Sequence, residues 1–323
     1  SRYSEAARAA AAREGAVAVD DARVAHAKFV AETFAARHAD RPSVEAEAIA
    51  LGIEDSMSLA GFRALEAAFA EVPERPKLRE TSDFIVNLRA VKDVQEIARM
   101  KAAQAVTDAA FAHIVGYMRP GMTEREVAIA LNCEMLRLGS EGEAFATIAC
   151  AGLNGSLPHA VPGEHRLQNG ELLTLDFGAT FGGYRSDMTR TVGIGKVDGA
   201  LKDLYQTVLS AHEMALEAVR PGAVCEDVDK AARSVIEKAG YGQYFTHRLG
   251  HGLGLDVHEP PYLSAGSKHV IEAGNVFSDE PGIYIPGRFG VRIEDLLFVH
   301  PEGAERLTPL DHGITIQNGS GAG

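Results

Sequence analysis

Apolar residues return at helical spacing through the first seventy positions, at Ala6, Ala9, Ala10 and Val17 and again at Val24, Phe29, Val30 and Phe34. That stretch predicts helices. The run "EVPERPKLRE" (71–80) breaks the pattern with two prolines and mixed charge, and it reads as a linker. From Val91 the sequence "VKDVQEIARMKAAQAVTDAAFAHIVGYM" predicts a long amphipathic helix that stops at "RPG" (119–121). A boundary near residue 82 follows, with a smaller domain over 1–82 and a larger one over 83–323.

The larger domain repeats itself. "MRPGMTEREVAIAL" (118–131) is matched by "VRPGAVCEDVDKAA" (219–232) at an offset of 101, and Gly139 and Gly240 keep that offset where the two helices close. Strand patterns repeat too, since "GELLTLDFG" (170–178) parallels "GNVFSDEPG" (274–282) and sets Asp176 against Glu280. Each half reads as helices followed by strands that deliver carboxylates. Two such halves predict an α+β fold, with helices outside a curved, largely antiparallel sheet and a pseudo-twofold axis between the halves.

Four acids interrupt the apolar runs of these strands. Asp176 and Asp187 lie in "LLTLDFGATFGGYRSDMTRT" (172–191), Glu280 in "VFSDEPGIY" (276–284) and Glu294 in "GVRIEDLLFV" (290–299), while His251 lies in "HRLGHGLGLDVHEPP" (247–261). Carboxylates rarely stand among strand formers unless something there pairs with them. Two divalent cations would balance four acids that otherwise repel one another and raise their own pKa values. The set reads as a dinuclear metal site. Gly182 and Gly183 suit a hairpin turn that would bring Asp176 and Asp187 side by side on paired strands.

With Asp176 and Asp187 eleven residues apart, His251 and His258 seven apart, "EPGIY" and "VRIED", residues 83–312 resemble the pita-bread metallopeptidases. That family contains methionine aminopeptidase, aminopeptidase P, prolidase and creatinase, and the chain is most similar to its Xaa-Pro peptidase branch. The resemblance implies a pita-bread catalytic domain of two pseudo-symmetric helix-plus-strand halves, preceded by a smaller α/β domain. "SRYSEAA" resembles a motif midway through that smaller domain, so the chain is expected to carry only part of it.

By the same resemblance Asp176 binds one metal, Asp187 and Glu294 bridge both, and His251 and Glu280 complete the second. Four oxygen-donor residues and one imidazole suit Mn²⁺ first, with Co²⁺ or a catalytic Zn²⁺ pair as alternatives, rather than a structural zinc. Two such ions can hold one hydroxide between them and lower its pKa towards neutrality, so no activated Ser or Cys is needed. Glu280 is then the proton shuttle. His159 in "SLPHA" and His258 in "DVHEPP" match two further active-site imidazoles, one touching substrate and one stabilising charge on the carbonyl oxygen. His247 in "HRLGH" matches a third, near the substrate proline. Arg292, two residues from Glu294 and on the same strand face, is expected to orient that carboxylate. Asp279 is expected on the opposite face of its strand from Glu280.

The resemblance also implies the reaction: hydrolysis of the bond before proline in Xaa-Pro dipeptides by a prolidase. The alternatives are an aminopeptidase P acting on longer peptides and a non-catalytic peptide-binding module, though the latter would normally have lost ligands. A dipeptide leaves a free carboxylate on its proline, which needs a positive partner. Arg2 in "SRY" is the expected partner, with Arg248 and Arg288 as candidates in the larger domain.

Composition and charge narrow the setting. With 46% hydrophobic and 24% charged residues, the 323-residue chain can bury a substantial core. Its 32 Lys and Arg stand against 45 Asp and Glu, a formal net charge of −13 without a basic cluster. That disfavours nucleic acid and anionic membranes as partners, since both need a positive face. No apolar stretch reaches 18 residues, and no export signal pattern is present. Cys133, Cys150 and Cys225 are odd in number and lack CxxC spacing, so neither a disulfide framework nor a zinc knuckle is expected. A cytoplasmic homodimer is the expectation.

Overall fold

A computed structural model describes residues 25–39, 49–73 and 75–317, which divide between Ile85 and Val86 into two units. Arg2 and the positions Ala6, Ala9, Ala10, Val17 and Val24 of the expected helices lie outside the described residues. In the first unit, helices α1 (His26–His38) and α2 (Leu59–Ala70) accompany strands β1 (Ala50–Glu54) and β2 (Lys77–Thr81), which pair in parallel with Ala50 opposite Lys77. Ala31, Ile53, Leu65 and Phe69 form its small core.

The expectation of a linker over 71–80 is corrected here, because its second half is β2. Pro73 and Pro76 both precede Lys77, so neither removes a donor from the ladder, and Leu78 packs on the core of the unit. Pairing with β1 supplies a backbone partner that no local pattern announces.

The second unit opens with α3 (Val94–Tyr117), started by a capping box of Asp93 and Glu96, and α4 (Glu124–Arg137). Strands β3 (Ile148–Ala151), β4 (Leu172–Phe177), the short hairpin β5 (Thr180–Phe181) and β6 (Tyr184–Arg185), and β7 (Met188–Ile194) follow. The second half restates this with α5 (Gly199–Ala218), α6 (Cys225–Lys238), β8 (Gly250–Gly252), β9 (Glu259–Leu263), β10 (Val276–Asp279), the hairpin β11 (Gly282–Ile285) and β12 (Phe289–Arg292), and β13 (Asp295–His300). Strands β14 (Gly303–Arg306) and β15 (Thr315–Gln317) close it.

The duplication read from sequence is present to the residue. Helices α4 and α6 start and stop 101 positions apart. Gly121 and Gly222 precede them at φ 91° and 87°, and Gly139 and Gly240 follow at 99° and 86°, a left-handed region that only glycine enters without strain. The N–H of Gly121 donates to Leu167 O at 2.8 Å and that of Gly222 to Ile271 O at 2.9 Å, so each helix start is tied to the same place in its half.

One sheet runs β15-β7-β4-β3 and the other β14-β13-β10-β8-β9. The antiparallel run β3-β4-β7 is thereby repeated as β8-β10-β13, and only β15 joins its neighbour β7 in parallel. Each sheet is buried against its own helix pair, one core holding Phe111, Leu131 and Phe177 and the other Val208, Ile236 and Phe277. This is the expected α+β architecture. Among the described residues no helix is long and apolar enough to cross a membrane.

Candidate active site

The strand ends of the two halves converge on one cavity of about 360 Å³, lined by Asp176, Asp187, His251, Glu280 and Glu294 together with His159, His247, His258 and Arg292. Asp176 is the penultimate residue of β4 and Asp187 immediately precedes β7. Between them Gly182 and Gly183, at φ 57° and 78°, make the two-residue turn of the hairpin β5–β6, and Glu141 accepts from both of their N–H groups. His251 is the middle residue of β8, Glu280 follows β10, and Glu294 links β12 to β13.

The imidazole is presented in one state. His251 Nδ1 lies 3.1 Å from Gly252 O, which makes Nδ1 the proton carrier and leaves the Nε2 lone pair free. Burial, aided by His258, takes the His251 pKa down to about 3, so the ring is neutral. Its Nε2 stands 3.3 Å from Glu280 Oε1 and 3.7 Å from Asp187 Oδ2. One donor atom each from Asp187, His251 and Glu294 lies within 4.8 Å of the others.

The acids, by contrast, are short of positive charge. Burial and mutual repulsion drive Asp187 and Glu294 well above the ordinary carboxylate range, and burial takes Glu280 up to about 7. Oδ1 of Asp176, Oδ1 of Asp187 and Oε1 of Glu294 are buried with no hydrogen-bond partner. Orphaned buried oxygens of this kind are costly. A pair of divalent cations fits the set, since it would ligate those oxygens and supply the missing charge.

Several side chains that hold the acids in place carry no sequence motif. Ser278 Oγ accepts from His251 N at 3.0 Å and donates to Glu280 Oε1 at 3.1 Å. Its position two residues before Glu280 on one strand was the available signal. Thr189 Oγ1 donates to Glu294 Oε2 at 2.5 Å and accepts from Arg292 Nε at 3.0 Å. The role expected of Arg292 is corrected accordingly. Its guanidinium pairs with Asp176 Oδ2 at 2.5 Å and reaches Glu294 only through Thr189. Cross-strand register explains this, because Asp176 of β4 lies directly opposite Thr189 of β7.

Tyr284 OH accepts from Arg292 Nη1 at 2.5 Å and lies 3.2 Å from His247 Nε2. Burial, then the nearby Arg292 charge, lowers the His247 pKa to about 3. The His258 ring packs edge-on to His251 with centroids 4.2 Å apart, and His159 is exposed at the cavity wall. Arg248 also lines the cavity, its guanidinium stacked over Tyr262 at 4.6 Å, whereas Arg288 is not among the lining residues. Asp279 turns away from the cavity to His212, as strand alternation requires.

A profile of the metallopeptidase family M24 matches residues 98–301. The chain belongs to that family. It is 38% identical over 264 residues to the Xaa-Pro dipeptidase of Pyrococcus furiosus, covering 82% of this chain and 75% of the relative. The solved Xaa-Pro dipeptidase from Bacillus anthracis superposes with a TM-score of 0.88 at 35% identity, over 98% of this chain and 84% of that one. The X-Pro aminopeptidase from Thermotoga maritima does so with a TM-score of 0.87 at 34% identity, over 98% and 86%. The pita-bread fold and the peptidase class expected from the sequence are those of the chain.

Proposed function

We propose that this peptidase cleaves the bond between an N-terminal residue and proline, with dipeptides as substrates and Asp176, Asp187, His251, Glu280 and Glu294 as ligands of two Mn²⁺ ions. The orphaned oxygens of Asp176, Asp187 and Glu294, gathered around a neutral imidazole in one cavity, carry the reading. The names of the relatives from Pyrococcus furiosus and Bacillus anthracis support the proline specificity. When bound, the ions would supply the charge that lowers the pKa of a water and polarises the scissile carbonyl.

The chain's own residues do the rest. Glu280, held by Ser278, takes the proton of the attacking water and passes it to the leaving proline nitrogen, which must be protonated to depart as an amine. His159 and His258 stand at the cavity wall to hold the substrate and to donate to the carbonyl oxygen as negative charge develops there. His247, held from behind by Tyr284 OH, lines the place assigned to the proline ring. Arg292 orients Asp176 through its ion pair with Oδ2. In this reading residues 1–82 form the smaller domain and 83–323 the catalytic one, with Arg2 as reader of the dipeptide's carboxylate. A homodimer and a cytoplasmic setting complete it, the latter supported by three free cysteines.

The similarity to an X-Pro aminopeptidase makes longer peptides the second reading. Protein loaded with Mn²⁺, its metal content confirmed, is assayed on an Xaa-Pro dipeptide, an Xaa-Pro-Yaa tripeptide and an Xaa-Ala control. Preference for the dipeptide supports the proposal. A tripeptide kcat/KM tenfold above the dipeptide value moves it to the second reading, and no preference for proline removes it. Arg2→Ala should lower dipeptide kcat/KM and spare the tripeptide, whereas an unchanged ratio removes Arg2 from the account.

A further inference from the structure

On the far side of the strands that carry Glu280 and Glu294 lies a second set of metal-binding donors. Asp279 and Asp295 are direct partners across β10 and β13, both fully buried. Like charges directly opposite each other repel. What meets them there is a pair of imidazoles, His212 from α5 and His312 from the segment before β15. His312 Nε2 lies 2.6 Å and His212 Nε2 3.3 Å from the same atom, Asp295 Oδ2, and the three donors all lie within 4.8 Å of one another.

The His212 ring is set as a ligand would be. Its Nδ1 stands 3.0 Å from Asp279 Oδ2 and 3.2 Å from Asp279 O, so Nδ1 carries the proton. Its Nε2 is left facing Asp295 Oδ2, buried and without a hydrogen-bond partner. A carboxylate behind one ring nitrogen with a metal before the other is a recurrent arrangement at histidine sites. Arg190 Nη2 occupies the other oxygen, Asp295 Oδ1, at 2.7 Å, while Oδ2 is hydrogen-bonded to His312 Nε2 at 2.6 Å, a contact that an ion between them would replace. Arg306 Nη1 lies 3.6 Å from Oδ2 and 2.7 and 3.1 Å from Nδ1 and Nε2 of His312, so it must turn away for an ion to bind, and its side chain, one-third exposed on the short strand β14, has solvent to turn into.

We propose that His212, Asp295 and His312 form a separate mononuclear site for Zn²⁺ or a similar borderline divalent ion, with Asp279 orienting His212. Two imidazoles and one carboxylate select such an ion over the harder Mn²⁺. The ion would tie α5, β10, β13 and the C-terminal segment together behind Glu280 and Glu294, and its role is structural.

The test is a difference in metal content, so it depends neither on what the dinuclear centre holds nor on peptidase activity. Full-length protein is stripped with a chelator, saturated with Zn²⁺, dialysed and analysed for zinc per chain beside His312→Ala and His212→Gln. Wild type should exceed each folded variant by about one ion per chain. A difference near zero overturns the site. An anomalous-diffraction map of zinc-loaded wild-type crystals needs no variant: a peak among the three side chains supports the site, and its absence overturns it.

Discussion

Ser278 Oγ joins the backbone of His251 to the carboxylate of Glu280, two of the assigned ligands of one metal. Removing it leaves a buried N–H without a partner and lets Glu280 turn. Ser278→Ala should therefore weaken Mn²⁺ binding about 10–100-fold, as loss of a supporting hydrogen bond to a ligand does. Isothermal titration reads this directly, and unchanged affinity would show that Ser278 positions neither ligand. Asp187 and His159 separate binding from turnover in the same way. Without metal, Asp187 is repelled by Glu294, Asp176 and Glu280, so its removal relieves the apo protein while depriving the ions of a ligand. The rise in Tm on adding Mn²⁺ should vanish in Asp187→Ala and persist in His159→Ala, whose side chain is exposed and whose loss should mainly lower kcat. Equal Tm gains in the two variants would reverse the assigned roles.

At the scale of elements, the two halves do not use their shared geometry equally. Thr123 opens α4 with a full capping box to Glu126, whereas Val224, its counterpart 101 positions on, opens α6 with no side-chain cap. The backbone is already suited to a cap, at φ −91° and ψ 134° against −77° and 155° for Thr123. Val224→Thr keeps the side-chain shape and adds a side-chain acceptor for the N3 amide of Asp227, which now donates to Val224 O at 2.9 Å. It should stabilise the protein by about 0.5–1 kcal/mol, and each kcal/mol should raise Tm by roughly 2–4 °C in a unit of this size. A lower Tm would mean that the Val224 methyl matters more to packing than the cap does. This asymmetry also shows which features were legible in the chain beforehand. Helix starts, closing glycines and the hairpin at Gly182 and Gly183 are written in adjacent residues, and so were read correctly. The acids were readable because they stand in apolar, glycine-punctuated runs. Thr189 and the true partner of Arg292 were not, since their roles come from strands brought together across about a hundred residues of chain. β1, which lies inside the stretch expected to be helical, and β2 escaped for the same reason: among the described residues each has its only ladder with the other.

Across the whole molecule the cavity acids are short of positive charge, which the fold's own side chains offset only in part. Arg292 is the one cation among the described residues that pairs directly with an assigned ligand acid, and it serves Asp176 alone. With a formal net charge of −13, the protein as a whole also attracts rather than repels divalent cations. Stability should therefore follow metal concentration by mass action, since ions that bind the folded chain and not the unfolded one add free energy as their logarithm. Raising Mn²⁺ from near its dissociation constant to about a hundredfold above it should add roughly 2 kcal/mol and lift Tm by several degrees. Chelation should reverse the gain and abolish peptide hydrolysis together, and Mn²⁺, Co²⁺ or Zn²⁺ should restore both, because the nucleophile depends on the ions. Melting curves and single-substrate assays on the same metal titration test the link. Full activity in protein shown by elemental analysis to be metal-free would end the metallopeptidase mechanism, and a Tm indifferent to metal would mean that the carboxylates of the cavity are neutralised by protons instead.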